Sequence, residues 1–193
     1  MKRFSLLLSS ILLFAGAVTA GAQVIPSATG RQVSITAGGM GSIFQTDFIG
    51  NYDSNYNFIA QSSNQPLYGV GAYVDVRLRR WVQFEAEGRR SRFNAYEGIT
   101  QDNYLIGPRL PVYHFRKATV YGKALGGYSK MNFGSGYGIG HYTDFAFGGG
   151  LDVKLTRRIS LRAVDVEYQY WPWWSNTALS PYGASVGMSY KVF

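Results

Sequence analysis

The sequence predicts an all-β chain, an eight-stranded antiparallel up-and-down transmembrane β-barrel, and three observations predict it. Segments of about ten residues alternate apolar side chains with polar ones or glycine, the period-2 pattern of a strand whose two faces meet unlike surroundings. Connections alternate between long polar loops and short basic turns, as in an up-and-down sheet whose two ends lie in different media. Charge is sparse: charged residues are 16% of the chain, aromatics another 16%, with 24 Gly and 15 Tyr. An ordinary soluble domain carries about 25% charged residues.

Mean hydropathy is -0.09. After the first two dozen positions no apolar run reaches the ~18 residues of a spanning helix. Only a closed barrel can then cross lipid, because every backbone N–H and C=O needs an internal partner.

Residues 1–22 read as a secretory signal peptide. Lys2-Arg3 is its charged start, Leu6 to Val18 its apolar core, and Ala20-Gly21-Ala22 its cleavage site, leaving Gln23 as the new N-terminus. Residues 23–30 form a polar lead and 31–193 the barrel domain. There is no cysteine, which excludes a disulfide framework, thiolate metal sites and a lipid anchor on an N-terminal Cys. The net charge is +8 over the full sequence. The basic residues form no helical stripe. Several fall in doublets at turns, Arg79-Arg80, Arg116-Lys117 and Arg157-Arg158, which places them beside anionic headgroups and argues against nucleic acid.

Taken in order, the first strand is Arg31 to about Phe44, with Val33, Ile35 and Ala37 on one face. The polar stretch Gln45 to Gln65 reads as loop. Strand two, Leu67 to Leu78, puts Tyr68, Val70, Ala72, Val74 and Val76 opposite Gly69, Gly71, Tyr73, Asp75 and Arg77. Strand three runs from Trp81 to about Phe93, with Val82, Phe84 and Ala86 opposite Gln83, Glu85, Glu87 and Arg89. Strand four, Gln101 to Leu110, puts Pro108 near its end, since proline cannot donate to a ladder. Strand five is Ala118 to Lys130, and Met131 to Thr143 reads as a Gly-rich loop. Strands six and seven are the hairpin GGGLDVKLTRRISLRAVDVEYQY, from Gly148 to Tyr170. Its turn is Arg157-Arg158, and its motif Asp152-Val153-Lys154-Leu155 echoes Asp75-Val76-Arg77-Leu78. Strict alternation through it would put Asp165, Glu167 and Gln169 on the apolar face, so a β-bulge near Ala163 is expected to reset the parity. A loop with Trp171, Trp173 and Trp174 at its mouth leads to strand eight, Pro181 to Val192.

The inward face of such a barrel collects Asp75, Arg77, Glu85, Glu87, Arg89, Arg109, Lys123, Asp152, Lys154, Arg162, Asp165 and Glu167. Acids and bases interleave across neighbouring strands, so paired charges are expected to satisfy one another and fill the narrow bore. The alternative use of the same residues is an ion path gated by rearranged pairs.

Four stretches carry a resemblance: Asn103-Tyr104-Leu105-Ile106-Gly107-Pro108-Arg109, Phe147 to Asp152, Arg162 to Tyr168, and Val186 to Phe193. Through them the chain resembles the OmpA-like outer-membrane β-barrels, small single-barrel members above all. The resemblance implies a Gram-negative outer-membrane location, periplasmic termini, external long loops and a terminal Phe within the assembly signal. It implies no peptidoglycan-binding activity, since that belongs to a domain after the barrel. The expected function is non-enzymatic: an envelope-stabilising barrel whose surface loops can bind partners. The expected partners are outer-membrane lipid (lipopolysaccharide and phospholipid) and the barrel-assembly machinery, with no nucleic acid, no cofactor, no catalytic residue and no metal. A monomer is expected.

Two rival functions remain. One is a lipid A deacylase, an eight-stranded barrel class that uses a His and a Ser two apart together with an acid on its outer surface. His141-Tyr142-Thr143-Asp144 approaches that pattern with Thr in place of Ser. The other is a narrow pore for small solutes. His114, in the turn before strand five, has no partner in sequence, and no phosphate loop or nucleophile elbow occurs.

Overall fold

This computed structural model describes residues 33–45, 49–52, 58–62, 66–79, 81–93, 100–132, 138–173 and 178–192. The cleavage site, the polar lead, Arg31, Gln32, Arg80, Trp174 and Phe193 lie outside the described residues. The described strands are β1 (Ser34–Gln45), β2 (Ile49–Tyr52), β3 (Phe58–Ser62), β4 (Pro66–Arg77), β5 (Gln83–Phe93), β6 (Thr100–Phe115), β7 (Ala118–Asn132), β8 (Ile139–Lys154), β9 (Ile159–Tyr170) and β10 (Tyr182–Lys191). Eight of them close an antiparallel barrel in the order β1-β10-β9-β8-β7-β6-β5-β4, with β1 paired to β4. Closure leaves the eight barrel strands without a free edge, which a sheet in hydrocarbon requires.

The alternation read from the sequence fixes which face is which. In β4, Val70 and Val74 are exposed while Tyr73 and Asp75 are buried. In β5, Phe84 points out and Gln83, Glu85, Glu87 and Arg89 point in. In β6, Tyr104, Ile106 and Leu110 are exposed and Leu105 and Arg109 are buried. The barrel therefore carries its aliphatic and aromatic surface outside and its charge inside, the reverse of a soluble domain.

The bulge lies where parity demands it. β8 and β9 pair Leu151 with Val164 but Asp152 with Arg162, so Ala163 is the extra residue. From the other side, β10 pairs Ser185 with Asp165 and Gly187 with Arg162. Arg162, Asp165, Glu167 and Gln169 are all buried as a result.

Four expectations are corrected. The stretch expected as loop from Gln45 to Gln65 contains the short hairpin β2–β3, whose polar composition hid it. Pro108 is not near a strand end, because β6 continues to Phe115. The β6–β7 pairing runs to Ile106–Gly126 and resumes at Arg109–Lys123, and Pro108 sits in that gap. His114 accordingly belongs to the strand, paired with Thr119, rather than to a turn. The loop expected over Met131 to Thr143 is shorter: β7 runs to Asn132 and β8 starts at Ile139.

Two glycines make room for inward tyrosines. Gly38 pairs with Tyr73, and a Cβ at Gly38 would lie 2.5 Å from Tyr73 Cζ. Gly150 pairs with Tyr121, and a Cβ there would lie 2.7 Å from Tyr121 Oη. Each ring lies across the bare backbone of its glycine and fills lumen that two side chains could not share.

Candidate functional site: the barrel interior and its two rims

The lumen is layered. Nearest the tight turns, Arg109 donates to Asp75 at 2.9 Å and to Asp152 at 2.5 Å, its guanidinium 3.7 Å from the Tyr121 ring centroid. Next, Arg162 donates to Glu85 at 2.7 Å and to Asp165 at 3.1 Å, with its guanidinium 3.6 Å from the Tyr73 ring centroid. Lys123 Nζ reaches four carboxylates: Asp165 and Glu167 at 2.9 Å, Glu87 at 3.1 Å and Glu85 at 3.2 Å. Arg89 joins Glu87 at 2.7 Å and Glu167 at 3.1 Å. Charges this deep are tolerable only because each has opposite partners and directional hydrogen bonds.

Above the ions lies a polar layer built around one carboxylate, Asp144, that alternation alone does not single out. Asn103 donates to Ser129 at 2.7 Å and to Asp144 at 2.9 Å, Ser129 donates to Asp144 at 2.7 Å, and Gln101 donates to Asn103 at 3.0 Å. Its signal was inward parity alone. Above it, Met131, Trp171 and Leu179 form an apolar plug with Tyr142 against it. Trp171, expected in a loop mouth, is fully buried and bridges to Leu179, whereas Trp173 is exposed.

Of the twelve inward charges expected, ten join this network. Arg77 and Lys154 do not: they hold inward register but are exposed at the rim, two residues beyond Asp75 and Asp152 of the last paired layer. They line a cavity of about 580 Å³ that opens at the tight-turn end, with Lys117, Arg157, Arg158 and Lys191. The doublets at Arg116-Lys117 and Arg157-Arg158 are thus divided in role. Lys117, Arg157 and Arg158 line the cavity, while Arg116 lies outside it over the Phe115 ring, at a φ of 48°.

At the long-loop end the outer surface changes character. Arg90, Asp102, Lys130 and His141 occupy one row across β5–β8, paired Arg90–Asp102, Asp102–Lys130 and Lys130–His141. Arg90 and Asp102 lie 3.6 Å apart. Arg92, two residues further along β5, adds another cation on the same side. The Tyr128 hydroxyl meets His141 Nδ1, and the two rings stack with centroids 5.5 Å apart. Across β9, β10 and β1 the comparable outward positions are Tyr168, Tyr170, Tyr182 and Ile43. Among the described residues of these strands, the outward cations at this end lie in the β5–β8 sector.

The deacylase reading, which the sequence leaves without an obvious acid, gains none from Asp144. His141 and Thr143 face outward, but Asp144 faces inward, fully buried, with Ser129 and Asn103 on one oxygen. A carboxylate on the far side of the barrel wall cannot orient an outward imidazole. Among the described residues no group of three potential metal ligands occurs.

The comparisons agree with this architecture. The chain is similar to Neisserial surface protein A, at 10% identity and a TM-score of 0.59, over 82% of this chain and 96% of that one. It is similar also to the outer membrane protein OprG from Pseudomonas aeruginosa, at 11% identity and a TM-score of 0.51, over 82% of this chain and 95% of that one. Likeness at such identity shows the fold. No curated protein sequence matches the chain. Residues 10–191 match the family described as outer membrane protein beta-barrel domain, so the chain belongs to that family of Gram-negative outer-membrane barrels.

Proposed function

We propose that this outer-membrane barrel is a closed, non-enzymatic scaffold that stabilises the envelope and presents its long loops at the cell surface. The observation that carries the reading is the interior. Arg89, Arg109, Lys123 and Arg162 interlock with six carboxylates across the bore, and a hydrogen-bonded polar layer around Asp144 and an apolar plug lie above them. Such a barrel has side chains where a channel needs water. Planar-bilayer recording of the refolded protein tests it. The account expects no unitary conductance, and discrete steps in the wild type would favour the narrow-pore alternative.

The outward row of Arg90, Lys130 and His141, with Arg92 beside it, supports lipopolysaccharide as the lipid partner. Lipid-facing cations are costly in hydrocarbon and favourable where phosphates begin. Their place at the long-loop end fits an external leaflet, with the termini and tight turns in the periplasm. Export by a cleaved signal peptide belongs to the same proposal, as does insertion by the barrel-assembly machinery as a monomer. N-terminal sequencing of the protein from outer membranes should begin at Gln23.

A further inference from the structure

Several basic residues at the tight-turn end are not arranged as a headgroup ring should be, although Arg79 and Arg116 lie outside the bore and Arg158 donates to the outward Tyr190 hydroxyl at 2.9 Å. A ring that serves lipid headgroups points outward from the barrel wall. Arg77 follows inward Asp75 by two positions, Lys154 follows Asp152, and Lys191 follows Ser189, so all three aim over the bore. With Lys117, Arg157 and Arg158 they surround a half-enclosed cavity of about 580 Å³. Its floor is the Arg109–Asp75–Asp152 layer.

The charges of this cup do not balance. The deep network holds four cations against six carboxylates, leaving two carboxylates over, whereas the cup adds six cations and no further acid to its lining. Like charges gathered around one cavity repel one another even where water screens their exposed ends, and an anion inside relieves the repulsion. The walls also offer hydroxyls. Thr36 and Thr119 line the cavity. Cations with hydroxyl donors around a pocket are the chemistry that holds phosphate oxygens.

We infer that this cup is a binding site for a phosphate-bearing anion, held by Arg77, Lys154 and Lys191 with the Thr36 and Thr119 hydroxyls on its walls. The volume suits a small polyanion or a lipid headgroup, and the paired Arg109–Asp75–Asp152 layer lies beneath it. This site is independent of whether the barrel conducts or acts as a scaffold.

Isothermal titration of the refolded barrel in uncharged detergent at low salt tests it, with inorganic pyrophosphate as the first probe. A second arm uses nanodiscs with and without phosphatidylglycerol. The variant combines Arg77→Gln, Lys154→Gln and Lys191→Gln. The control, Arg79→Gln with Arg116→Gln, lowers the charge at the same end outside the cavity. The inference expects pyrophosphate binding that the triple variant weakens about tenfold or more and the control leaves within about twofold. Binding only in the phosphatidylglycerol arm, with the same residue dependence, identifies a headgroup as the source of the phosphate. Equal loss in variant and control, or no binding in either arm, overturns it. If the triple variant does not refold, Lys154→Gln with Lys191→Gln is judged by the same comparison.

Discussion

The guanidinium of Arg162 lies 3.6 Å from the ring centroid of Tyr73 and donates to Glu85 at 2.7 Å, so one side chain ties β9 to β4 and β5 across the bore. It is fully buried, and its position depends on the bulge at Ala163 behind it. Arg162→Met takes the nearest cation from Glu85 and one of two from Asp165, leaving Lys123 to serve both. The expected loss is about 3–5 kcal/mol, the usual cost of breaking a buried pair from one side. Equilibrium unfolding of the refolded barrel in guanidinium reads it.

Tyr73 in turn rests on Gly38. Gly38→Leu forces the ring away and with it the packing surface of Arg162, at about 1–3 kcal/mol for overpacking. Gly41→Leu is the matched comparison, because a Cβ at Gly41 meets nothing within 4 Å. Urea midpoints should fall for the first and hold for the second.

The bulge gives a test by deletion. Loss of Ala163 leaves Arg162, Val164 and Asp165 in plain alternation, so the barrel should still fold with its inner charges in place. Loss of Val166 instead turns Glu167 and Gln169 to lipid and Tyr168 into the lumen. Heat-modifiable gel mobility should survive the first deletion and vanish with the second.

Position along the outer wall sets the cost of a charge. Ile106→Lys places an ammonium on the lipid face within the aliphatic band and should cost about 2–4 kcal/mol, whereas cations at the rim cost about 0–1. The proposed lipopolysaccharide contact adds a second readout. Arg90→Gln with Lys130→Gln should abolish any gain in thermal stability conferred by lipopolysaccharide over neutral phospholipid. An undiminished gain would contradict the contact.

The lipid-facing pattern was legible in the sequence because hydrocarbon admits few exceptions. Val70, Val74, Phe84 and Ile106 could face only one way, and even the bulge at Ala163 was legible because Asp165, Glu167 and Gln169 had nowhere else to go. Beyond the bilayer the constraint lapses. The extension of β7 to Asn132 and the start of β8 at Ile139 run through Asn, Gly and Tyr that alternation does not discipline, and the β2–β3 hairpin is polar throughout its flanks. Which acid meets which base was not legible either. Parity gave the inward set, but the partners of Lys123 follow from strand register, and so does the gathering of Arg77, Lys154 and Lys191 over one cup.

The chain contains no cysteine, so single cysteines can carry a spin label without interference. Leu105 and Ile106 are neighbours on opposite faces, 3% and 63% exposed. Labels at the two positions of the bilayer-reconstituted barrel report directly what each face touches. High accessibility to oxygen at Ile106, with little access for oxygen or a water-soluble nickel chelate at Leu105, is the predicted result. Equal accessibility at both, or nickel reaching Ile106 more than oxygen does, would contradict a lipid-facing wall around a filled interior.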